Sequence, residues 1–245
     1  MIRAASFAAM LLLWQAAASF ADPRHLPGPW PVVLTMLEEA RSGELFVHLA
    51  ATLARVAAGF TLAMTLGSAL GYLMGRSRLA DRILDPWLVV LLNLPALVVI
   101  VLAYIWAGLT EAAAVGAVAL NKLPGAVVVA REGARALDPE LDEMATVFRL
   151  PLETRVRHIV LPQLAPYLAA ATRSGLSLVW KIVLIVELLG RSNGVGFKID
   201  LAFQLFDVRL LLAYALPFVA IMLGVETFFL RPLERRVSGW RADAA

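Results

Sequence analysis

The residues able to do chemistry are few, and most sit in apolar surroundings. Lys122, Lys181 and Glu187 are ionisable side chains inside long apolar runs, and Asn93 and Asn121 place amides in two such runs. A charge near the centre of a bilayer costs about 2.5–3.5 kcal/mol on insertion scales, so each one calls for a function. Lys122 is the boldest, in the segment Asn121-Lys122-Leu123-Pro124-Gly125, where proline and glycine weaken a helix. Two roles stand open for it. Asn121 and Lys122 could line a pathway and meet an anionic or strongly polar solute, or Lys122 could form a salt bridge with Glu187 or another carboxylate. Lys181 and Glu187 lie six positions apart, roughly 240° around a helix, which does not suit them as a pair. Asn93-Leu94-Pro95 puts an amide and a kink together, consistent with either pathway lining or packing. Arg55, Arg173 and Glu226 lie nearer the ends of apolar runs and are expected to snorkel.

Catalytic constellations are missing from the sequence. A phosphate-binding P-loop needs Gly-Lys followed by Ser or Thr. The three lysines follow Asn121, Trp180 and Phe197, so ATP use would belong to another subunit. Neither His-Glu-x-x-His nor Gly-x-Ser-x-Gly occurs, and His25, His48 and His158 are scattered. With no cysteine, disulfide scaffolds, Fe–S clusters and cysteine-ligated zinc are excluded.

The elements that must position these charges follow from composition. Of 245 residues 60% are hydrophobic and 17% charged, with a mean hydropathy of +0.77. That is more apolar than a soluble domain and excludes disorder, so the chain reads as a polytopic, all-α membrane protein. Apolar runs of spanning length cover about 4–20, 56–74, 86–106, 112–130, 167–189 and 210–230, six spans in a single transmembrane domain over 1–245. The first has a rival reading as a signal peptide, with Ser19-Phe20-Ala21 a small-x-small cleavage point. The segment after it, rich in proline at 23, 27, 29 and 31, is expected to begin extended and non-helical.

Charge placement gives the topology. The net charge of +3 does not indicate a nucleic-acid partner, because the arginines gather at the ends of apolar runs. With the N-terminus inside, the inner segments hold 13 basic residues and the outer segments 5, placing both termini in the cytoplasm. In the longest inner segment, 132–166, Asp138 is a natural N-cap and Pro139 suits the first helical position. A short helix is expected from Pro139 to about Arg149, stopped by Pro151, with a second amphipathic stretch over 152–160. The second span carries Gly59, Ala63, Gly67, Gly71 and Gly75 at four-residue spacing. Such a smooth face lets another helix approach closely, within the chain or at a subunit interface.

The inner segment also carries a motif. Glu143-Met144-Ala145, Arg149 and Ile159-Val160-Leu161-Pro162 resemble the "EAA" signature of ATP-binding-cassette importer permeases, with Met144 for an alanine and Arg149 for a glycine. Leu53-Ala54-Arg55-Val56, Gly59-Phe60, Leu73-Met74-Gly75 and Leu84-Asp85-Pro86 are similar to the nitrate/sulfonate/taurine/bicarbonate branch. So is Val186-Glu187-Leu188-Leu189-Gly190 followed by Ser192-Asn193-Gly194-Val195-Gly196-Phe197. Leu13-Trp14 fits that branch's first helix, favouring a retained span over a cleaved one.

The resemblance implies the type I importer permease fold in a bacterial inner membrane. It implies an ATPase subunit that uses ATP and Mg, an external solute-binding protein, and a second permease copy; this chain would bind no cofactor. A cytoplasmic coupling helix would dock in the ATPase through Glu140, Asp142, Glu143, Met144, Ala145, Phe148, Arg149 and Leu150. Glu187 would serve a gate or an inter-helix contact. The expected function is a transmembrane pathway for a small anionic or polar solute such as a sulfonate or nitrate, and not catalysis. An ion-coupled secondary transporter using Lys122 and Glu187, or a permease for vitamin precursors, are the alternatives. The sequence shows no internal repeat of the kind secondary transporters carry.

Overall fold

The computed structural model describes residues 2–232, and among them every regular element is helical. The helices are α1 (Ile2–Phe20), α2 (Pro29–Arg41), α3 (Glu44–Arg76), α4 (Arg78–Asn93), α5 (Ala96–Ala107), α6 (Glu111–Arg135), α7 (Pro139–Val147) and α8 (Leu152–Arg155). A π-turn over Val156–Val160 joins α8 to α9 (Leu161–Gly190). Then come α10 (Val195–Gln204) and α11 (Val208–Val225), the last running into a second π-turn, Glu226–Leu230. Two compact units divide the chain, one from 1–54 and 183–223, the other from 55–182 and 224–245. The divisions fall inside α3, α9 and α11, so these three helices contribute to both units.

Four helical stretches are long and apolar enough to cross a membrane: Glu44–Arg76, Glu111–Arg135, Leu152–Gly190 and Val208–Leu230. The apolar part of α1, Ala5–Phe20, is shorter. The kink expected within 86–106 is a sharp break: α4 and α5 meet at 101°. Leu94 is extended (ψ 126°) before Pro95, whose ring clashes with a helical predecessor and which has no N–H to continue the ladder. Asn93 ends α4, turning its amide back onto Val89 O at 2.8 Å. The proline-rich outer segment begins non-helical, as expected. It extends only as far as Gly28, and α2 starts at Pro29, because Pro29 and Pro31 fall in the first turn where no N–H is needed.

In the unit built on 55–182, α3 packs on α6 through its small-residue stripe. A Cβ at Gly67 would lie 2.6 Å from Ala126 Cβ, and one at Gly71 would lie 2.4 Å from Val127 O. Gly59 meets Val118 and Gly75 meets Ala134 in the same way, and Ala63 is fully buried. Backbones that close exchange dispersion contacts with no side chain between them, which is how helices adhere where lipid removes the hydrophobic drive. At the end of this contact Met74, Leu88 and Val127 form one apolar cluster, and Ala134, Val160 and Leu164 form another. Arg131 bridges Asp85 at 2.6 Å and Asp81 at 3.3 Å, and Arg135 reaches Asp81 at 2.6 Å, tying α4 to α6. Arg55 does not snorkel. It is buried and grips Glu111 through two bonds of 2.9 and 2.6 Å, the forked geometry that suits a guanidinium and a carboxylate.

In the other unit Val32, Leu45, Leu49, Val183, Val195, Ala213 and Tyr214 are buried. Trp14 of α1 donates to Pro27 O at 3.0 Å, fixing that helix to the segment before α2.

Candidate functional sites

The first site is a buried polar clasp. Glu187 is fully enclosed, and its Oε2 accepts from Thr52 Oγ1 and from Gly196 N, each at 2.9 Å. Thr52 Oγ1 accepts in turn from Val195 N at 2.8 Å, and His48 Nδ1 accepts from Gly194 N at 2.9 Å. Because Nδ1 accepts, the His48 proton sits on Nε2, which faces Glu44 Oε2 at 3.1 Å. Three successive backbone N–H groups at the start of α10 are thus held by side chains of α3 and α9, all donors a helix start leaves without partners. Gly194 has φ +113°, and a Cβ there would lie 2.3 Å from the Glu187 carboxyl carbon. Only glycine meets both demands. Around this core Lys198 Nζ lies 3.4 Å from Glu39 and from Glu44 and 5.2 Å from the Tyr214 ring, and the Tyr214 hydroxyl donates to Glu39. The sequence offered Glu187 alone. His48 and Thr52 were legible only as an i, i+4 pair facing a glycine-rich loop.

The second site is the short inner helix α7. Asp138 caps it by accepting from Glu140 N at 2.9 Å, and Pro139 opens it. Asp142 holds two guanidinium groups, those of Arg76 on α3 and Arg155 on α8. Partial burial pushes the Asp142 carboxyl up, but Arg155 and Arg76 outweigh it and hold it below the ordinary carboxylate range. The helix is therefore anchored along one side and bare along the other. Met144 is exposed, Val147 and Phe148 are 77% and 72% exposed, and Glu140 and Glu143 flank them. A cavity of about 420 Å³ lined by Arg76, Pro139, Asp142, Glu143, Thr146 and Val147 lies alongside. Ala145 is buried and packs inward, so it shapes the helix instead of presenting itself.

The helix ends two residues earlier than expected, and Arg149 makes the break. It has φ +49°; Leu150 N bonds to Ala145 O at 2.9 Å and Arg149 N to Thr146 O at 3.1 Å. These are the two bonds of a Schellman ending, with arginine at the position that favours glycine.

The third group is the intramembrane cations, which the fold does not gather into one site. Lys122 is 5% exposed, and its Nζ would lie 2.4 Å from a Cβ placed on Gly175 of α9. Among the described residues no carboxylate lies within ion-pair distance of Lys122, so the salt bridge considered for it is not formed. Asn121 bonds to its own helix at Ala117 O, 2.9 Å away. Lys181 is exposed on α9, about 120° around that helix from Gly175.

Comparison with known proteins gives the family. The family model described as "binding-protein-dependent transport system inner membrane component" matches residues 59–239. A Bacillus subtilis protein named as an aliphatic sulfonates transport permease is 32% identical over 236 residues, 96% of this chain and 85% of that one. The taurine transport system permease protein of Escherichia coli is 25% identical over 97% of this chain and 89% of its own. Among solved structures, an amino acid ABC transporter crystallised with histidines aligns with a TM-score of 0.65 and 20% identity, over 83% of this chain and 97% of that one. This chain belongs to the binding-protein-dependent transport system inner membrane component family, the permease subunits of ABC importers.

Proposed function

We propose that the chain forms, with a second copy of itself, the transmembrane path for a small solute bearing an oxyanion. A separate ATPase subunit holds ATP and Mg, and an external binding protein delivers the cargo. The names of the relatives, sulfonates and taurine among them, support an anionic cargo. The observation that carries the reading is α7. It is a capped helix locked from one side by Asp142 and bare on the other at Val147 and Phe148, the form a rigid lever needs if it is to transmit a push. An ATPase seated there would contact Glu140, Glu143, Met144, Phe148 and Arg149, with Asp142, Ala145 and Leu150 holding the shape. Closure of the ATPase pair would rock the helices between outward- and inward-open states.

In this reading α1, α3, the bent α4–α5 pair, α6, α9 and α11 make six crossings in the inner membrane. Both termini are cytoplasmic, in line with the 13 to 5 bias of basic residues. Asn93, Asn121 and Lys181 border the path. Lys122 stands behind α9 as a fixed positive charge in a low-dielectric medium, where its field reaches far. The chain itself performs translocation and no bond-breaking step.

The test is co-purification with an ATPase followed by reconstitution into liposomes. ATP-dependent uptake that disappears on Phe148→Glu, with the permease still assembled in the membrane, is the expected result. Uptake driven by a proton gradient without ATP would overturn the reading.

A further inference from the structure

The face of α4 turned away from α6 carries a feature that the importer reading does not assign. Successive residues of a helix turn by about 100°, which puts Leu79, Ile83, Trp87 and Val90 within about 80° of one another. All four are exposed. Arg78 and Arg82 border this apolar stripe on one side, also exposed and four residues apart. The opposite face of the helix is committed. Leu88 is buried with Met74 and Val127, and Asp81 and Asp85 are taken by Arg131 and Arg135 of α6. Arg78 and Arg82 make no hydrogen bond or ion pair among the described residues.

A helix with an apolar stripe, an aromatic ring within it and basic residues along its shoulder suits the boundary between lipid headgroups and acyl chains. Water would leave the stripe uncovered. Pure hydrocarbon would leave the two guanidinium groups unsolvated. The chain then enters α5, 12 residues without a charge, where Leu97, Ile105 and Trp106 are exposed. Together α4 and α5 have the length and hydropathy of one crossing, broken at the elbow. An apolar surface that carries on toward bilayer depth suits lipid better than a water-soluble partner, which could not follow it there.

We propose that Arg78 and Arg82 hold the phosphate of an acidic phospholipid, with its acyl chains laid along Leu79, Ile83 and Trp87. Four-residue spacing sets the two arginines about 6 Å apart along the axis and on one side, so both guanidinium groups can reach one phosphate. Each offers a planar fork that pairs with two phosphate oxygens. A zwitterionic lipid carries the same phosphate but adds a cation of its own, which the arginines repel, so net negative charge is selected. The salt bridges to α6 hold α4 from one side, and the lipid holds it from the other, ahead of the elbow at Pro95. The proposal rests on the importer reading only for the leaflet, which is the inner one.

The absence of cysteine in the chain makes a local test possible. The full chain carrying Ile83→Cys is labelled with a nitrobenzoxadiazole fluorophore and placed in phosphatidylcholine nanodiscs. A small, equal share of the lipid is replaced by a doxyl-labelled quencher, phosphatidylglycerol in one sample and phosphatidylcholine in the other. The expected result is quenching by both, about threefold stronger with phosphatidylglycerol. At Val219→Cys, an exposed apolar position on α11, the two lipids should quench alike. Arg78→Gln together with Arg82→Gln should bring the ratio at position 83 to about one. No quenching by either lipid would mean that water or another protein chain covers the stripe, and would overturn the proposal. Equal quenching by the two lipids, or a preference unmoved by the double substitution, would do the same. So would loss of the preference on adding inorganic phosphate, the sign of a site for a free anion. The comparison of the two lipids on the unaltered arginines decides even if the double variant folds poorly. The labelling needs neither an ATPase nor a binding protein, and a nanodisc presents the same lipids to both faces of the chain. It therefore stands or falls separately from the importer reading, whose failure would show as a missing ATPase partner or ATP-independent uptake.

Discussion

Two polar regions of this membrane chain are built on opposite principles. In the clasp, Glu187, Thr52 and His48 are buried and their hydrogen bonds close on one another and on the backbone of 194–196. On the outer face of α9, Lys181 is exposed and makes no hydrogen bond or ion pair among the described residues. The clasp spends its polarity on structure and Lys181 withholds it. In a low-dielectric medium an unmade hydrogen bond costs more than a made one gains, so a polar group left unsatisfied marks where something else is meant to bind. The contrast separates residues whose loss should damage folding from residues whose loss should damage transport.

The largest effect that would sharpen this division is expected for Glu187→Ala. It leaves Thr52 and Gly196 N buried without their acceptor, which costs about 2–4 kcal/mol and opens the start of α10. Thermal unfolding in detergent should shift down sharply, and membrane yield should fall. Gly194→Ala should behave alike, since its methyl would fall on the Glu187 carboxyl and its φ of +113° would be strained. If Glu187→Ala kept full stability while transport failed, the clasp would be a gate and the division would break. Lys181→Met is the mirror experiment. It should leave the melting temperature unchanged or raised while reconstituted uptake of an oxyanion solute falls at least tenfold.

Lys122 probes the middle ground, buried like the clasp yet, among the described residues, without an ion-pair partner. Lys122→Met removes a buried charge with no counter-ion among the described residues, so stability should rise by up to about 2–3 kcal/mol, read as a higher melting temperature. If the lysine also sets the potential of the path, uptake of an anion should drop in the same variant. A gain in stability with uptake unchanged would reduce Lys122 to packing against Gly175.

How much of this could be read before folding depends on which forces are local. Helix caps are local, and Asp138 with Pro139 announced α7 correctly because both act within one turn. Apolar runs are local too, and most of the spans appeared where hydropathy placed them. The 101° elbow was visible only as a kink at Pro95, since the size of a bend is set by what α4 and α5 pack against. The clasp joins residues about 140 positions apart, and no periodicity connects His48 or Thr52 to a loop near 195.

The acid response of α7 tests whether its anchor belongs with the structural class. The Asp142 carboxyl is held below its ordinary range by Arg155 and Arg76, so its contribution is fully present above the unfolded carboxylate value, about 3.9. It is lost as pH falls through the lowered folded value. The protection of α7 amides, relative to their intrinsic exchange at each pH, should therefore be flat from neutral pH to about 5 and fall only in strong acid. Asp142→Asn should bring the lower protection to neutral pH.

The smallest effect concerns Arg149, where the sequence departs from the glycine of the importer signature. A left-handed conformation costs a non-glycine residue about 1 kcal/mol, and the Schellman bonds hold Arg149 there regardless. Arg149→Gly should relax that strain and stabilise the end of α7 by about 0.5–1 kcal/mol, visible as slower exchange at Arg149 and Leu150. If the arginine is kept because its exposed guanidinium meets a carboxylate on the ATPase subunit, the same variant should weaken co-purification with that subunit while steadying the free helix. Arg149→Lys should restore part of the contact without relieving the strain. A variant both steadier and equally well coupled would place Arg149 with the structural residues, as a helix ending that glycine would serve better.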